Sequence, residues 1–217
     1  MRVLELFSGT KSVGKVCKEL GYEVIALDLN NADINIDILE WDYKDYPNDY
    51  FDIIWASPPC RTFSSIKKTH IGRKNKDGKI VTSEDIEKEI MTIGLPPLLK
   101  TLEIITYFNP KNYIIENPQT GSMKKYLDLP YYDVDYCKYA NWGYRKRTRF
   151  WTNIKGFNPK KCNQDCSSCI NGKHLINFGM TTKKRIEGVK SKYTNINDRY
   201  RIPPSLIAEI FTLIVPI

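Results

Sequence analysis

The sequence predicts an α/β fold whose core is a doubly wound, mainly parallel sheet. Short apolar runs alternate with helix-like stretches through the first sixty residues, and most of these runs end in a polar or glycine-bearing turn. A last amphipathic segment, after Pro203-Pro204, predicts a closing helix. Because ligands bind at the carboxyl edge of such sheets, the residues after each predicted strand are the first candidates for a functional site.

The predicted elements follow the chain in a regular order. Apolar runs that predict strands occupy residues 3–7, 23–27, 34–38, 51–56, 113–115, 131–137 and 149–152. Helical spacing predicts a first helix that Gly21 stops, and another helix begins near Ser83. We expect Pro96-Pro97 to interrupt that helix and to begin the next one. Residues 67–79 have no apolar period and six basic side chains, which predicts a mobile basic loop.

Length and composition limit the kinds of protein that this chain can be. With 217 residues it has room for one main domain and a small appendage. We predict a main domain at 1–154, a polar, lysine-rich insert at 155–196, and a segment at 197–217 that returns to the main domain. The formal net charge of +8 favours a polyanionic partner. The apolar runs are too short for a signal peptide or a membrane span, which predicts a soluble intracellular protein.

The turn after the first predicted strand has the composition of a nucleotide-binding turn. Phe7-Ser8-Gly9 leads into a helix, and Asp28 ends the next strand about twenty residues later. Gly9 would let the backbone approach a ligand, and Asp28 would accept hydrogen bonds from ribose hydroxyls. A doubly wound protein without such a ligand also places glycine in this turn, so both interpretations stay open on these residues alone.

The turn after the fourth predicted strand carries a candidate nucleophile. In Ser57-Pro58-Pro59-Cys60 the prolines end the strand and stiffen a turn that would present the Cys60 thiol at the carboxyl edge. A thiolate there can add to an electrophilic ring carbon, provided that neighbouring charges favour its deprotonation. An isolated cysteine after a strand is more often a small buried residue. The Pro-Pro-Cys sequence before a basic loop favours the nucleophile.

Two further groups of charged residues follow later strands. Glu116, in Glu116-Asn117-Pro118, would lie on the same edge as Cys60 and could hold a proton on a ring nitrogen, although such a glutamate can also be a helix N-terminal charge. Arg145, Arg147 and Arg149 are spaced to share one face of a strand and could bind a base oxygen and a phosphate. The alternative is a solvated run of charges.

The insert contains a group of cysteines with the spacing of metal ligands. Cys162, Cys166, Cys169 and His174 can close a tetrahedral zinc site, and residues 155–195 have few apolar side chains with which to fold unaided. The alternatives are unligated loop cysteines or a disulfide. We favour zinc because metal binding would replace a hydrophobic core in this segment.

Taken in order, these motifs resemble those of the cytosine carbon-5 DNA methyltransferases, and in particular the compact phage and viral type. The matching segments are Phe7-Ser8-Gly9, Pro58-Pro59-Cys60, Glu116-Asn117, 145–149 and 201–206. The resemblance implies a Rossmann-like, S-adenosylmethionine-dependent methyltransferase fold. Fewer than fifty residues separate Asn153 from Arg201, where the family usually carries a large target-recognition domain, so we expect a small zinc-binding insert there and short or relaxed sequence specificity.

The resemblance also implies a role for individual residues. Cys60 would add to carbon 6 of a flipped-out cytosine while Glu116 supports ring nitrogen 3, with Arg147 and Arg149 beside them. S-adenosylmethionine would be bound by Phe7, Ser8, Gly9, Asp28, Leu29, Asp37, Ile38 and Pro58. DNA would be bound by Arg61, Ser64, Lys67, Lys68 and Arg145, within or near a basic segment at 61–79 that closes over the flipped base.

Other functions are compatible with the same residues. One branch of the family methylates transfer RNA, and nothing in Cys60 or Glu116 separates RNA from DNA. A non-catalytic nucleic-acid-binding protein is a third hypothesis, but binding alone needs no thiol nucleophile. We expect a monomer in the cytoplasm of a bacterial or infected host cell, where protection of DNA against restriction would fit by analogy.

Overall fold

The computed structural model describes residues 1–176 and 200–214, and its strands and α-helices follow the predicted order. The strands are β1 (Arg2–Leu6), β2 (Glu23–Asp28), β3 (Ile34–Asn35), β4 (Ile53–Ala56), β5 (Asn112–Pro118), β6 (Tyr131–Asp135), β7 (Arg147–Thr152), β8 (Cys169–Ile170) and β9 (Lys173–His174). The α-helices are α1 (Ser12–Glu19), α2 (Ser83–Glu89), α3 (Leu95–Phe108) and α4 (Pro204–Phe211).

Seven of the strands form one sheet in the order β3-β2-β1-β4-β5-β7-β6. Strands β1 to β5 run parallel to one another, and β7 runs antiparallel to both β5 and β6. The chain moves outward from β1 through β2 to β3, then returns to the other side of β1 as β4. The strand order reverses there, and in such sheets ligands bind beyond the carboxyl ends of the strands at the reversal, here β1 and β4. The predicted doubly wound α/β sheet is confirmed.

The two faces of the sheet are covered by different helices. Alternate residues of β4 point to opposite faces, so Trp55 packs with α1 and α4 while Ile54 packs with Phe108 of α3. All three of these side chains are fully buried. Burial on both faces explains why the central strands read as nearly continuous apolar runs.

Several segments differ from their predicted form. The third strand stops at Asn35, because the Asp37 carboxylate accepts the Leu39 N–H and begins a turn. Pro96-Pro97 does not break the helical path: residues 90–94 form a π-helical turn, and the prolines occupy the first turn of α3, where no N–H is needed. The basic loop is not featureless, since it contains a 3₁₀-helix at Ser65–His70 and a bridge between Lys74 and Ile80.

The insert is described only as far as residue 176. Its described part contains the short antiparallel hairpin of β8 and β9. The remaining predicted insert, from 177 to 196, lies outside the described residues. After it, Ile202 donates its N–H to Ser12 Oγ at 3.2 Å, and α4 packs on the face that holds α1. Among the described residues, no helix is both long and apolar enough to cross a bilayer.

Candidate active site

The carboxyl edge of the central strands brings the two main candidate residues together. In the register of the sheet, Ala56 at the end of β4 pairs with Ile115 of β5. Glu116 therefore extends just beyond the end of β4, where the turn to Cys60 begins. The parallel pairing places both residues at one edge, as the sequence predicts.

The turn that carries Cys60 is tied to the neighbouring strand. Asn117 Nδ2 donates to the Pro58 carbonyl at 2.9 Å, and this hydrogen bond is buried. Ser57 donates its N–H to the Leu6 carbonyl at 3.1 Å, which links the same turn to β1. Pro59 is exposed and Cys60 half-buried. A buried amide and two prolines thus fix the backbone that presents the thiol.

The charges around Cys60 act on its thiol in opposite directions. Burial raises the pKa of the Cys60 thiol, and the negative charge of Glu116 raises that pKa further. The positive charge of Lys146 lowers it. Cys60 therefore depends on Lys146, among its charged neighbours, to favour the nucleophilic thiolate.

Glu116 has two close polar partners at this edge. Its Oε1 accepts a hydrogen bond from the Tyr136 hydroxyl at 3.1 Å and lies 3.5 Å from Lys146 Nζ. The Lys146 ammonium also lies 4.9 Å from the centre of the Tyr136 ring. All three residues are buried. Sequence reasoning missed Tyr136 and Lys146, although Lys146 stands within the basic run at 145–149.

The arginines of that run are held by acidic residues of β6. Arg145 forms a bidentate pair with Asp135 at 2.9 and 2.8 Å, and Arg147 contacts the same carboxylate at 3.2 Å. Arg149 pairs with Asp133 at 2.7 and 2.9 Å. Arg147 and Arg149 lie two residues apart in β7, as predicted, whereas Arg145 precedes the strand, although it contacts the same carboxylate as Arg147. The strand begins at Arg147, and the hydrogen bond from the Tyr136 N–H to the Lys146 carbonyl continues the β6–β7 register by one further position.

The predicted cofactor residues gather at the ends of β1 and β2. The turn after β1 has left-handed backbone at Phe7 and Gly9, with φ of 58° and 48°. Asp28 accepts hydrogen bonds from the N–H groups of Gly9 at 2.8 Å and Leu29 at 2.7 Å. Ser8 Oγ is buried and has no hydrogen-bond partner among the described residues. The remaining predicted positions are exposed Asp37, buried Ile38 and buried Pro58.

The buried carboxylate of Glu5 holds the start of α1, which follows this turn. Glu5 accepts hydrogen bonds from the N–H groups of Val13 at 3.2 Å and Gly14 at 2.9 Å, in the first turn of α1. Burial raises the pKa of Glu5 to about 7, and the two backbone hydrogen bonds oppose that shift. Sequence reasoning did not single out Glu5.

The predicted DNA-contacting residues lie after Cys60 on the basic loop. Arg61 and Lys68 are exposed, and Ser64 is half-buried. Lys67 pairs with Glu89 at the end of α2. The pair links the loop to a helix that begins with a capping box at Thr82.

The predicted metal ligands converge, and one further cysteine joins them. His174 Nε2 lies 3.6, 3.4 and 3.3 Å from the sulfurs of Cys162, Cys166 and Cys169, and the last two sulfurs are 3.6 Å apart. Zinc bonds of about 2.3 Å to sulfur and 2.0 Å to nitrogen set tetrahedral donors about 3.5–3.8 Å apart. The donor atoms of Cys137, Cys162, Cys166 and His174 also lie within 4.8 Å of one another. These five residues form the cysteine cluster.

Comparison with solved structures supports the fold. The Entamoeba histolytica methyltransferase EhMeth superposes with a TM-score of 0.51 at 16% identity, over 74% of this chain and 55% of that one. The methyltransferase Dnmt2 of S. pombe gives a TM-score of 0.43 at 19% identity, over 73% of this chain and 52% of that one. The chain thus spans about half the length of these two proteins. At such low identity the likeness to EhMeth shows the fold alone.

Comparison at the sequence level goes further. No family model matches the chain. A probable DNA (cytosine-5)-methyltransferase of Frog virus 3 (isolate Goorha) is 44% identical over 218 residues, which cover 98% of this chain and all of that protein. This relative confirms the resemblance that the motifs from Phe7 to Leu206 predict. The chain therefore belongs to the DNA (cytosine-5)-methyltransferase family.

Proposed function

We propose that the chain methylates carbon 5 of cytosine in DNA, with S-adenosylmethionine as methyl donor and Cys60 as nucleophile. One observation carries the proposal: the half-buried Cys60 thiol, the Glu116 carboxylate and the Lys146 ammonium meet at one edge of the sheet. The alignment with the DNA (cytosine-5)-methyltransferase relative covers 98% of this chain and all of that protein, which supports the proposal. The net charge of +8 suits a DNA substrate.

The residues at the ends of β1 and β2 fit the proposed methyl donor. Ser8 Oγ is buried without a partner among the described residues, beside a turn in which Gly9 has a left-handed backbone. Asp28 lies beside this turn and can accept the ribose hydroxyls, with Leu29 exposed next to it. Asp37 and Ile38 would hold the adenine, and Phe7 and Pro58 would complete the site. When bound, the cofactor supplies an electrophilic methyl group.

The chain's own residues account for the activation of the base. The Cys60 thiolate, favoured by Lys146, adds to carbon 6 of a flipped-out cytosine. Glu116 holds a proton at ring nitrogen 3, so the negative charge that develops on the ring is neutralised. Tyr136 and Lys146 keep the Glu116 carboxylate in place for this contact. After methylation, loss of the carbon 5 proton releases Cys60.

The outer residues of the site would bind the DNA strand. Arg61, Ser64 and Lys68 lie on the loop that follows Cys60 and would contact phosphates as the loop closes. Lys67 would need to leave Glu89 to do so. The three arginines of the basic run are already paired with acidic residues of β6: Arg145 and Arg147 with Asp135, and Arg149 with Asp133. Their first role would be to hold β6 and β7 in place, and contact with DNA would be the second.

The insert would be a zinc-stabilised module in place of a large target-recognition domain. Cys162, Cys166, Cys169 and His174 have the contacts of a tetrahedral zinc site, and the only regular elements in the described part of the insert are two-residue strands. Zinc would supply folding energy that so short a hairpin lacks. We keep the division into 1–154, 155–196 and 197–217 as part of this proposal.

The decisive experiment measures transfer of labelled methyl from S-adenosylmethionine to duplex DNA or to transfer RNA. We expect labelling of DNA that is lost in Cys60→Ser and kept in Cys17→Ala, a matched loss of a buried thiol in α1. DNA containing 5-fluorocytosine should trap a covalent complex with the parent protein and with Cys17→Ala, but not with Cys60→Ser. If Cys60→Ser labels DNA as fast as the parent, the assignment of the nucleophile is wrong.

The same assay separates the remaining alternatives. Labelling of transfer RNA in preference to DNA would favour the RNA methyltransferase, and no labelling of either polymer would favour a non-catalytic binding protein. Metal analysis should find about one equivalent of zinc, which Cys166→Ser should abolish. The monomeric state, the cytoplasmic location and the protective role against restriction stay predictions.

A further inference from the structure

The short segment Asp135-Tyr136-Cys137 touches both the cysteine cluster and the catalytic centre. It begins at the last residue of β6 and continues into a 3₁₀ turn at Tyr136–Lys138. Asp135, Tyr136 and Cys137 are all buried. The segment therefore connects the cysteine cluster to the residues around Glu116.

On one side, the segment is bound to the cysteine cluster. Cys137 Sγ lies within 4.8 Å of the donor atoms of Cys162, Cys166 and His174. Asp135 Oδ2 accepts the Cys162 N–H at 2.8 Å. Arg145, held by the same carboxylate, donates to the Cys162 carbonyl at 2.9 Å. Asp135 and Arg145 thus fix the backbone of Cys162, one of the proposed metal ligands.

On the other side, the segment supports the catalytic carboxylate. The Tyr136 hydroxyl donates to Glu116 Oε1 at 3.1 Å. The Tyr136 N–H donates to the Lys146 carbonyl at 3.0 Å, and the Lys146 ammonium packs over the Tyr136 ring. Tyr136 is therefore one polar partner of Glu116 and contacts the other, Lys146.

We propose that Tyr136 is a positioning residue for Glu116, and that metal bound in the cysteine cluster holds Tyr136 in place through Cys137 and Asp135. This inference rests on the proposed methyltransferase function. Five residues converge and a tetrahedral zinc site takes four donors, so we assign Cys162, Cys166, Cys169 and His174 as the ligands and Cys137 as an outer partner close to the sulfurs of Cys162 and Cys166. Without metal, the loop that carries Cys162 loosens, Asp135 loses its hydrogen bond from the Cys162 N–H, and the Tyr136 hydroxyl moves from Glu116.

The first test compares two tyrosines of the same region. Tyr136→Phe removes the hydroxyl at Glu116, while Tyr132→Phe removes a β6 hydroxyl that donates to the Ile154 carbonyl at 3.3 Å, away from the site. We expect both variants to keep one equivalent of zinc. Tyr136→Phe should lower kcat for DNA methylation roughly 10- to 100-fold with KM for both substrates unchanged, since misplacing a catalytic group costs rate. Tyr132→Phe should match the parent.

The second test links the metal to the tyrosine. Cys137→Ala should weaken zinc affinity roughly 10- to 100-fold in competition with a chromophoric chelator, as loss of an outer-shell partner does. At saturating zinc it should lower kcat, and the double variant with Tyr136→Phe should be no slower than Tyr136→Phe alone. If Cys137→Ala does not fold, removal of zinc from the parent and from Tyr136→Phe by chelation gives the same comparison.

The outcomes separate this inference from the function on which it rests. A parent protein that labels neither polymer overturns the proposed function, and the inference falls with it. An active parent together with a fully active Tyr136→Phe overturns the inference alone. Losses in kcat that multiply in the double variant, or that multiply on zinc removal from Tyr136→Phe, would show that the metal and Tyr136 act independently, which also overturns it.

Discussion

Replacing Lys146 with glutamine removes the positive charge beside Glu116 and leaves a side chain of comparable size. Lys146 Nζ lies 3.5 Å from Glu116 Oε1, and both side chains are more than 90% buried. At an effective dielectric constant of about 20, the attraction at that distance is about 5 kcal/mol before desolvation is subtracted. Removal of one partner from a buried pair typically costs about 3–5 kcal/mol. We expect a loss near the lower figure, because Tyr136 still donates to Glu116.

Urea unfolding measures this loss, and the chain offers a matched control. Lys160 pairs with Glu209 at 2.8 Å, with both side chains substantially exposed. Lys160→Gln should therefore lower the free energy of unfolding by about 0–1 kcal/mol. If Lys146→Gln is no more destabilised than Lys160→Gln, the buried pair does not contribute as its geometry requires.

The same substitution should change the reactivity of Cys60. Lys146 lowers the pKa of the Cys60 thiol and Glu116 raises it, so Lys146→Gln should move alkylation of Cys60 to higher pH and Glu116→Gln to lower pH. Iodoacetamide labelling across a pH series, read at the Cys60 peptide by mass spectrometry, gives both curves. Shifts in the same direction would refute the proposed arrangement of charges.

Three further predictions concern the scaffold of the site. The pKa of Glu5 is raised from 4.5 to about 7, so between these pH values the folded chain keeps a proton that the unfolded chain loses. The free energy of unfolding should therefore fall by about 3 kcal/mol as the pH rises from 4.5 to about 7. Denaturation at a series of pH values should show this fall in the parent and a smaller one in Glu5→Gln. Asn117→Ala frees the Pro58 carbonyl and should slow methylation roughly 100-fold, which steady-state kinetics would show; an unchanged rate would contradict the role of this tether. Gly94→Ala would place Cβ 2.5 Å from Thr62 Oγ1 and should lower the free energy of unfolding by about 1–3 kcal/mol. Thermal unfolding measures this loss, and a variant as stable as the parent would show that the Thr62 side chain moves aside without cost.

Much of the fold and part of the site follow from local sequence. The strands β1, β2, β4 and β5 lie inside the sheet, with helices on both of its faces. Their sequences are therefore apolar runs that can be recognised without the structure. The turn at Cys60 is marked by its prolines, which fix the backbone whatever surrounds it. The weakest prediction was the run at 145–149, where residue spacing alone suggested that three arginines share a face. The structure pairs those arginines with acids of β6.

The sequence by itself determined the order of the strands, the turn that presents Cys60, the carboxylate at Glu116 and the four-donor metal motif, because each depends on neighbouring residues and on the geometry of a parallel sheet. Only the tertiary structure decided that Lys146 and Tyr136 face Glu116 and that Cys137 joins the cysteine cluster. These contacts join residues 20 to 37 positions apart on antiparallel strands and loops. Their register is set by packing across the whole sheet, which no local pattern encodes.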